Sequence, residues 1–330
     1  MRIRAFASAI PDTNYDVDKI AEWCGVDPEF LQSKIGVVRR GFLGQNETGV
    51  SLAVRAVDEL FYKTSLPRDS IELLIYVTQT PDYGIPQNSS LLQNLAGLPR
   101  SMASFDLGLG CSGYPYALTL AKGFMRAQSM SRAIIVTCDP YSKIMRREDK
   151  ATTAVFGDAA TATLLDNEGT GEIGLGDYGT DGSGHSALIV RAGSAASPIW
   201  SVHKQRPELD AADDDYRLRM NGRAVFDFVM HEIPGSLTRA IEKNRLLMGD
   251  IKWFALHQGS LYMLKQLAIE ANLPLDRVLI NIDRYGNTVS SSIPLLLEEQ
   301  MATPEGLTGN VIVSGFGVGL SWGSTALKFS

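Results

Sequence analysis

Phe105-Asp-Leu-Gly-Leu-Gly-Cys-Ser-Gly-Tyr114 leads from the end of an apolar run straight into a helical pattern, with glycines on both sides of one cysteine. Residues 103–107 read as a strand and 112–128 as a helix, which places Cys111 on the turn between them. A thiol there faces the helix's unpaired N–H groups and the positive end of its dipole, both of which favour the thiolate. The glycines let the backbone approach a ligand closely. Taken alone, the position suits a small buried hydrophobe as well as a nucleophile.

Outward from this turn the same grammar repeats. Continuous rather than alternating apolar runs mark strands covered on both faces. They lie at 71–78, 103–107, 133–138, 251–256, 278–282 and 311–314, with helical patterns at 50–64, 87–97, 112–128, 222–245, 260–272 and 288–301. Strands at 157–165 and 322–328 close the two series, and Met1–Pro11 reads as a first strand rather than a signal peptide. Such alternation implies βαβ units and a mostly parallel sheet between helix layers. The two series match element for element, so the expected fold is a duplicated α/β unit, 1–166 and 167–330. Its intervening stretch holds loops, the second half's first strand and an acidic cluster, Asp210, Asp213, Asp214 and Asp215, expected to be a solvated loop rather than a metal site.

Composition narrows the class. The 330 residues are 45% hydrophobic and 21% charged, which is globular, and Lys+Arg 31 against Asp+Glu 37 gives a net charge of −6, with no footprint for nucleic acid. No apolar run reaches the roughly 18 residues of a membrane span. Cys24, Cys111 and Cys138 are too few and odd in number for a disulfide framework, so reduced thiols and a cytoplasmic location are expected.

Two further residues occupy strand ends. His257 follows 251–256 at the sheet's carboxyl edge, where ligands bind in open α/β sheets; His185, His203 and His231 lack that setting. Asn287, in Asn281-Ile-Asp-Arg-Tyr-Gly-Asn-Thr-Val-Ser-Ser-Ser-Ile-Pro294, stands in the second half where Cys111 stands in the first. A pseudo-twofold axis brings these two toward one centre, with His257 entering from the neighbouring strand. Gly315-Phe-Gly-Val-Gly-Leu-Ser-Trp-Gly323 offers backbone N–H groups that can pair with that of Cys111 as an oxyanion hole.

Jointly these motifs resemble the thiolase-fold condensing enzymes, and most closely the β-ketoacyl-acyl-carrier-protein synthase III family. The resemblance spans nearly the whole chain: Ile35-Gly-Val, the Cys111 turn, Phe156-Gly-Asp-Ala, His257-Gln, Gly286-Asn-Thr and the terminal Gly-Leu-Ser-Trp-Gly. It implies a five-layered αβαβα arrangement of two βαβαβαββ halves, the first carrying the nucleophile and the second His257 and Asn287. An asparagine third member separates it from elongating synthases, which place a second histidine there, and thiolases need a second active cysteine in the last loop.

The implied reaction attaches an acyl group to Cys111 from acyl-CoA or acyl carrier protein. A malonyl thioester then loses carbon dioxide while His257 and Asn287 hold its carbonyl, and the carbanion attacks the acyl carbon above the N–H groups of Cys111 and Val318. The resemblance requires no metal or redox cofactor, coenzyme A entering as a thioester substrate, and it implies a homodimer. Phe156, Arg223 and Phe226 are further substrate-binding candidates, Phe226 as the family's aromatic beside the triad.

Departures from the family pattern fall at the substrate contacts. Phe30 and Lys34 stand where a Trp and an Arg sandwich adenine, and Lys lacks the planar guanidinium. Lys150 replaces another Arg, Ser260 an Asn, and Ile85 a gating Phe. Asp227, Tyr262, Ile269 and Glu270 take the place of a basic carrier-docking patch, which weakens attraction to an acidic partner.

Rival readings remain. Gly108-Leu-Gly-Cys-Ser-Gly113 matches a dinucleotide fingerprint of a dehydrogenase, but that leaves the repeat, His257 and Asn287 unexplained. A cysteine protease also orders Cys, His, Asn, in a different local signature. Within the fold, the alternative is acyl transfer to a hydroxyl or amine without decarboxylation, which retention of Asn287 disfavours.

Overall fold

The computed structural model describes residues 1–197 and 213–330. Asp210 and His203 fall outside the described residues. The main sheet is built from β1 (Arg2–Ala9), β2 (Leu73–Val77), β3 (Ala103–Leu107), β4 (Ala133–Cys138), β5 (Ala160–Asp166), β6 (Gly171–Thr180), β7 (Ile251–Leu256), β8 (Gly309–Gly317) and β9 (Ser321–Phe329). Their order is β3-β2-β4-β5-β1-β6-β9-β8-β7. Within β3-β2-β4 the pairing is parallel, and β5 and β1 then add antiparallel. On the other side β7-β8 is parallel, and β9 and β6 add antiparallel, which is the same series in mirror order along the sheet. β1 and β6 meet only at Arg2↔Glu172 and Ile3↔Gly171, so the sheet folds into two faces about that seam.

Continuous apolar strands are explained by what covers them. Five helices matter: α1 (Gly49–Thr64), α2 (Gly113–Ala127), α3 (Gly222–Lys243), α4 (Leu261–Glu270) and α5 (Ser292–Met301). Leu73, Ile75 and Val77 point into a central core with Tyr114 and Leu118 of α2 and Leu296 and Leu297 of α5, while Leu74 and Tyr76 pack on α1. In β8, Val311 and Val313 face the same central core, and Ile312 faces α3 and α4. Period-two side-chain alternation thus sends each buried strand into two cores, giving layers α1, sheet, α2 with α5, sheet, α3 with α4.

Three expected elements differ. The strand at 278–282 is reduced to one parallel bridge, Phe254↔Val278. The Gln258 side chain replaces the next ladder partner by accepting the Asn281 N–H at 3.2 Å, and the chain turns into the short helix Ile282–Tyr285. β5 starts at Ala160 rather than 157 because Gly157 and Asp158 donate their N–H groups to Asn287 and Gly41 instead. The helix expected over 288–301 opens as a 3₁₀ turn, Val289–Ser291, before α5. Val289 there has φ 53°, a left-handed conformation rare for a β-branched residue.

Candidate active site

Cys111 follows β3 and precedes α2, so its position is dictated by the strand-to-helix turn. The turn is tight: a Cβ at Gly113 would lie 2.4 Å from Val77 Cγ1, and one at Gly110 2.5 Å from Gln79 Oε1. Gly110 and Gly113 therefore serve close packing around the cysteine, while Gly108 faces open space. Opposite, a Cβ at Gly315 of β8 would lie 2.4 Å from the Cys111 carbonyl oxygen, so only glycine lets the last loop reach the nucleophile. The N–H groups of Cys111 and Val318 are both directed at the Cys111 thiol.

His257 continues β7, its N–H donating to Ser314 O at 2.9 Å. Its ring stands edge-on to Phe316 with centroids 5.6 Å apart, and Nδ1 lies 2.8 Å from Ser292 Oγ. Asn287 is clamped through its backbone: its N–H donates to Val155 O, and its carbonyl accepts from Gly157, each at 3.0 Å. The Val289 N–H donates to Asn287 Oδ1 at 2.9 Å, which leaves the side-chain amide as the free donor. Cys111, His257 and Asn287, buried on three elements from two halves, line one cavity of about 660 Å³.

Electrostatics correct one expectation. Burial pushes the Cys111 thiol well up, with the nearby Asp139 charge adding to it, against the smaller downward pull of the two N–H groups. Loss of water outweighs the two N–H groups, so Cys111 rests as a thiol. Burial drives the His257 pKa down to about 3, with the Val289 carbonyl opposing. The pair is therefore neutral thiol beside neutral imidazole. Asp139, also buried, is raised to about 6, and it accepts from the Gln79 N–H at 2.7 Å and from the Ser290 hydroxyl. It thereby ties the turn that carries Asn287 to the ends of β2 and β4.

Phe30, Lys150, Phe156, Phe226 and Ser260 line the same cavity, whose walls are mostly apolar. Phe226 stacks on Tyr262 at 5.7 Å, and Lys34 Nζ sits 5.9 Å over the Tyr262 ring, which puts Lys34 at the rim. Ser260 also caps α4, its hydroxyl accepting the Met263 N–H at 3.1 Å. Two candidates stand apart. Arg223 Nε pairs with Asp227 at 2.8 Å, one helical turn along the exposed face of α3. Ile85 is 89% exposed and borders a separate surface depression with Tyr83. Its loop is held at the carboxyl end of β3, where the Asn88 and Ser89 N–H groups donate to Asp106. Asp215 pairs with Arg219 at 3.5 Å. Sequence reasoning missed Ser292 and weighed Asp139 only as the acidic residue after the next strand in the dinucleotide fingerprint; the one signal for Ser292 was its place in the Asn287–Pro294 motif.

A buried cysteine thiol beneath two backbone N–H donors, with an imidazole and an amide on the same apolar cavity, is the arrangement of a thioester-processing enzyme of the thiolase fold. Two family profiles match, 3-oxoacyl-[acyl-carrier-protein] synthase III over residues 105–182 and its C-terminal counterpart over 241–329. The chain is 31% identical over 327 residues to β-ketoacyl-[acyl-carrier-protein] synthase III 2 of Bacteroides thetaiotaomicron, covering 97% of this chain and 93% of that protein. A crystal structure of a 3-oxoacyl-(acyl-carrier-protein) synthase III superposes with TM-score 0.91 at 33% identity, covering all of both chains. A related synthase from Burkholderia xenovorans LB400 gives 0.88 at 32%, over 100% of this chain and 94% of that one. The chain belongs to the β-ketoacyl-acyl-carrier-protein synthase III family, and its activity is decarboxylative condensation. Among the described residues no helix is long and apolar enough to cross a membrane.

Proposed function

We propose that the chain is an acyltransferase in which Cys111 carries the acyl group, donated by acyl-CoA or an acyl carrier protein, and a malonyl thioester accepts it. The observation that carries this reading is the convergence of Cys111, His257 and Asn287 on one apolar cavity, with the Cys111 and Val318 N–H groups aimed at the thiol. His257 Nε2 takes the thiol proton as sulfur attacks the donor carbonyl, whose oxyanion rests on the two N–H groups. The donor thiolate leaves and takes a proton from solvent. The malonyl carbon–carbon bond then breaks, carbon dioxide departs, and the electron pair enters an enolate held by Nε2–H and the Asn287 amide. The enolate carbon attacks the acyl carbon, and the Cys111 thiolate leaves and recovers its proton from Nε2. Coenzyme A is substrate in this scheme, and every other group is a side chain or peptide of the protein.

Asn287 supports condensation over transfer to a hydroxyl or amine, since an amide donor opposite the nucleophile has work only when an enolate forms. The Asn287→Ala protein is expected to acylate at the wild-type rate and to lose about 10²-fold or more of its carbon dioxide release from malonyl thioester. Radiometric capture of the gas tests this, and unchanged release sinks the assignment.

A further inference from the structure

Ser292 is buried at the start of α5, and its hydroxyl has one proton to give. Its oxygen lies 3.0 Å from the Val289 carbonyl and 2.8 Å from His257 Nδ1. A backbone carbonyl only accepts, so the Ser292 proton goes to Val289 and the contact with the ring is Nδ1–H donating to Oγ. The Val289 carbonyl also acts on the imidazole as an acceptor, and it takes the one proton Ser292 has to give. Neutral imidazole has a single ring proton, and which nitrogen holds it follows from the bond the other makes. With Nδ1 protonated, Nε2 presents a lone pair to the cavity that Cys111 shares.

The local backbone is built for this. Val289 is held at φ 53°, a conformation that a β-branched residue adopts only under constraint. Its N–H orients Asn287 and its carbonyl anchors the Ser292 hydroxyl. One peptide turn thus serves both residues that face the nucleophile, and Asp139 pins it through Ser290.

We propose that Ser292 is a positioning residue for the reaction, which with the Val289 carbonyl holds His257 as the Nδ1–H tautomer so that Nε2 receives the Cys111 proton. The inference rests on the condensing function proposed above. No bond to substrate is assigned to Ser292. It acts through the ring, first fixing the empty nitrogen toward the thiol and then accepting from Nδ1 while the ring is doubly protonated.

The test compares wild type, Ser292→Ala and Ser292→Thr, each quenched at intervals after mixing with the acyl-CoA that labels the wild type fastest and read by intact mass. Ser292→Ala is expected to lower the maximal acylation rate about tenfold, a part of what general base catalysis supplies. The donor concentration for half-maximal rate should stay within about twofold, and Ser292→Thr, which keeps the hydroxyl, should return to within about threefold of wild type. An alanine rate equal to wild type, or a threonine as slow as alanine, overturns the proposal. ¹⁵N NMR of histidine-labelled wild type reads the tautomer without any variant: Nδ1 protonated is expected, and Nε2 protonated in the unloaded enzyme overturns it. If the wild type does not acylate at all, the proposed function fails, and the tautomer measurement still decides the role of Ser292.

Discussion

Cys111 and His257 are kept neutral by the same cause, exclusion of water, acting in opposite directions on a thiol and an imidazole. The His257 pKa of about 3 lies far below the usual histidine value near 6.5. A ring depressed in this way gains a proton only in strong acid, so its NMR resonances should not move between about pH 8 and pH 5. A His257 inflection near about pH 6.5 would contradict the burial argument. The same argument makes the resting thiol slow toward small alkylating agents, and faster as pH rises through the alkaline range. In the proposed reaction, reactivity arises when the donor's carbonyl meets the two N–H groups, because charge that develops there is stabilised by groups already in place. These residues were legible in sequence because each ends a strand that the apolar pattern locates. Their titration was not, since α2's N-terminus was visible in the sequence and the depth of burial was not.

At the scale of elements, the nucleophile turn and the last loop are fitted to one another. A methyl at Gly315 would sit 2.4 Å from the Cys111 carbonyl and 3.0 Å from Ser112 Cα, both backbone atoms that cannot step aside. Gly315→Ala should therefore move the turn and lower acylation by about two orders of magnitude, as misplacement of reacting groups by about 1 Å does, while a far-ultraviolet circular dichroism spectrum stays unchanged. Wild-type acylation by that variant would show that the loop has slack. Helix-scale electrostatics concern the carrier. The family resemblance implies that an acidic carrier approaches beside α3 and α4, where Asp227 and Glu270 carry negative charge and Tyr262 and Ile269 add apolar surface, 47% and 66% exposed. The double change Asp227→Lys, Glu270→Lys is expected to raise kcat/KM for acyl carrier protein several-fold at low salt, about 10-fold at most, and to leave that for acyl-CoA unchanged. Equal effects on both donors would remove the docking argument. The sequence revealed these helices by period, but the missing strand at 278–282 was hidden, because one glutamine side chain, Gln258, took the place of a ladder partner.

For the whole molecule, the site depends on two similar halves meeting over one helix layer. β2 and β8 each send alternate residues into the core around α2 and α5, and Leu297 lies there fully buried. Leu297→Ala should cost about 2–5 kcal/mol, through lost apolar burial and a residual cavity. Thermal unfolding should remain a single transition, since that layer belongs to both halves; two separated transitions would mean that the halves are independent. The duplication was readable because a repeat must solve the same burial problem twice. The places where the halves differ, Cys111 against Asn287 and a full strand against a single bridge, are where function and local hydrogen bonding overrode the pattern. Ile85, exposed on a loop anchored to Asp106 at the edge strand, lies outside the cavity of its own chain. The most direct test of the central claim is the intact mass of the purified chain after incubation with a panel of acyl-CoAs. The account predicts a gain of one acyl group per chain on the wild type, mapped to Cys111 by peptide analysis, and none on Cys111→Ala. Equal labelling of the two proteins, or labelling of the wild type at another residue, would contradict it.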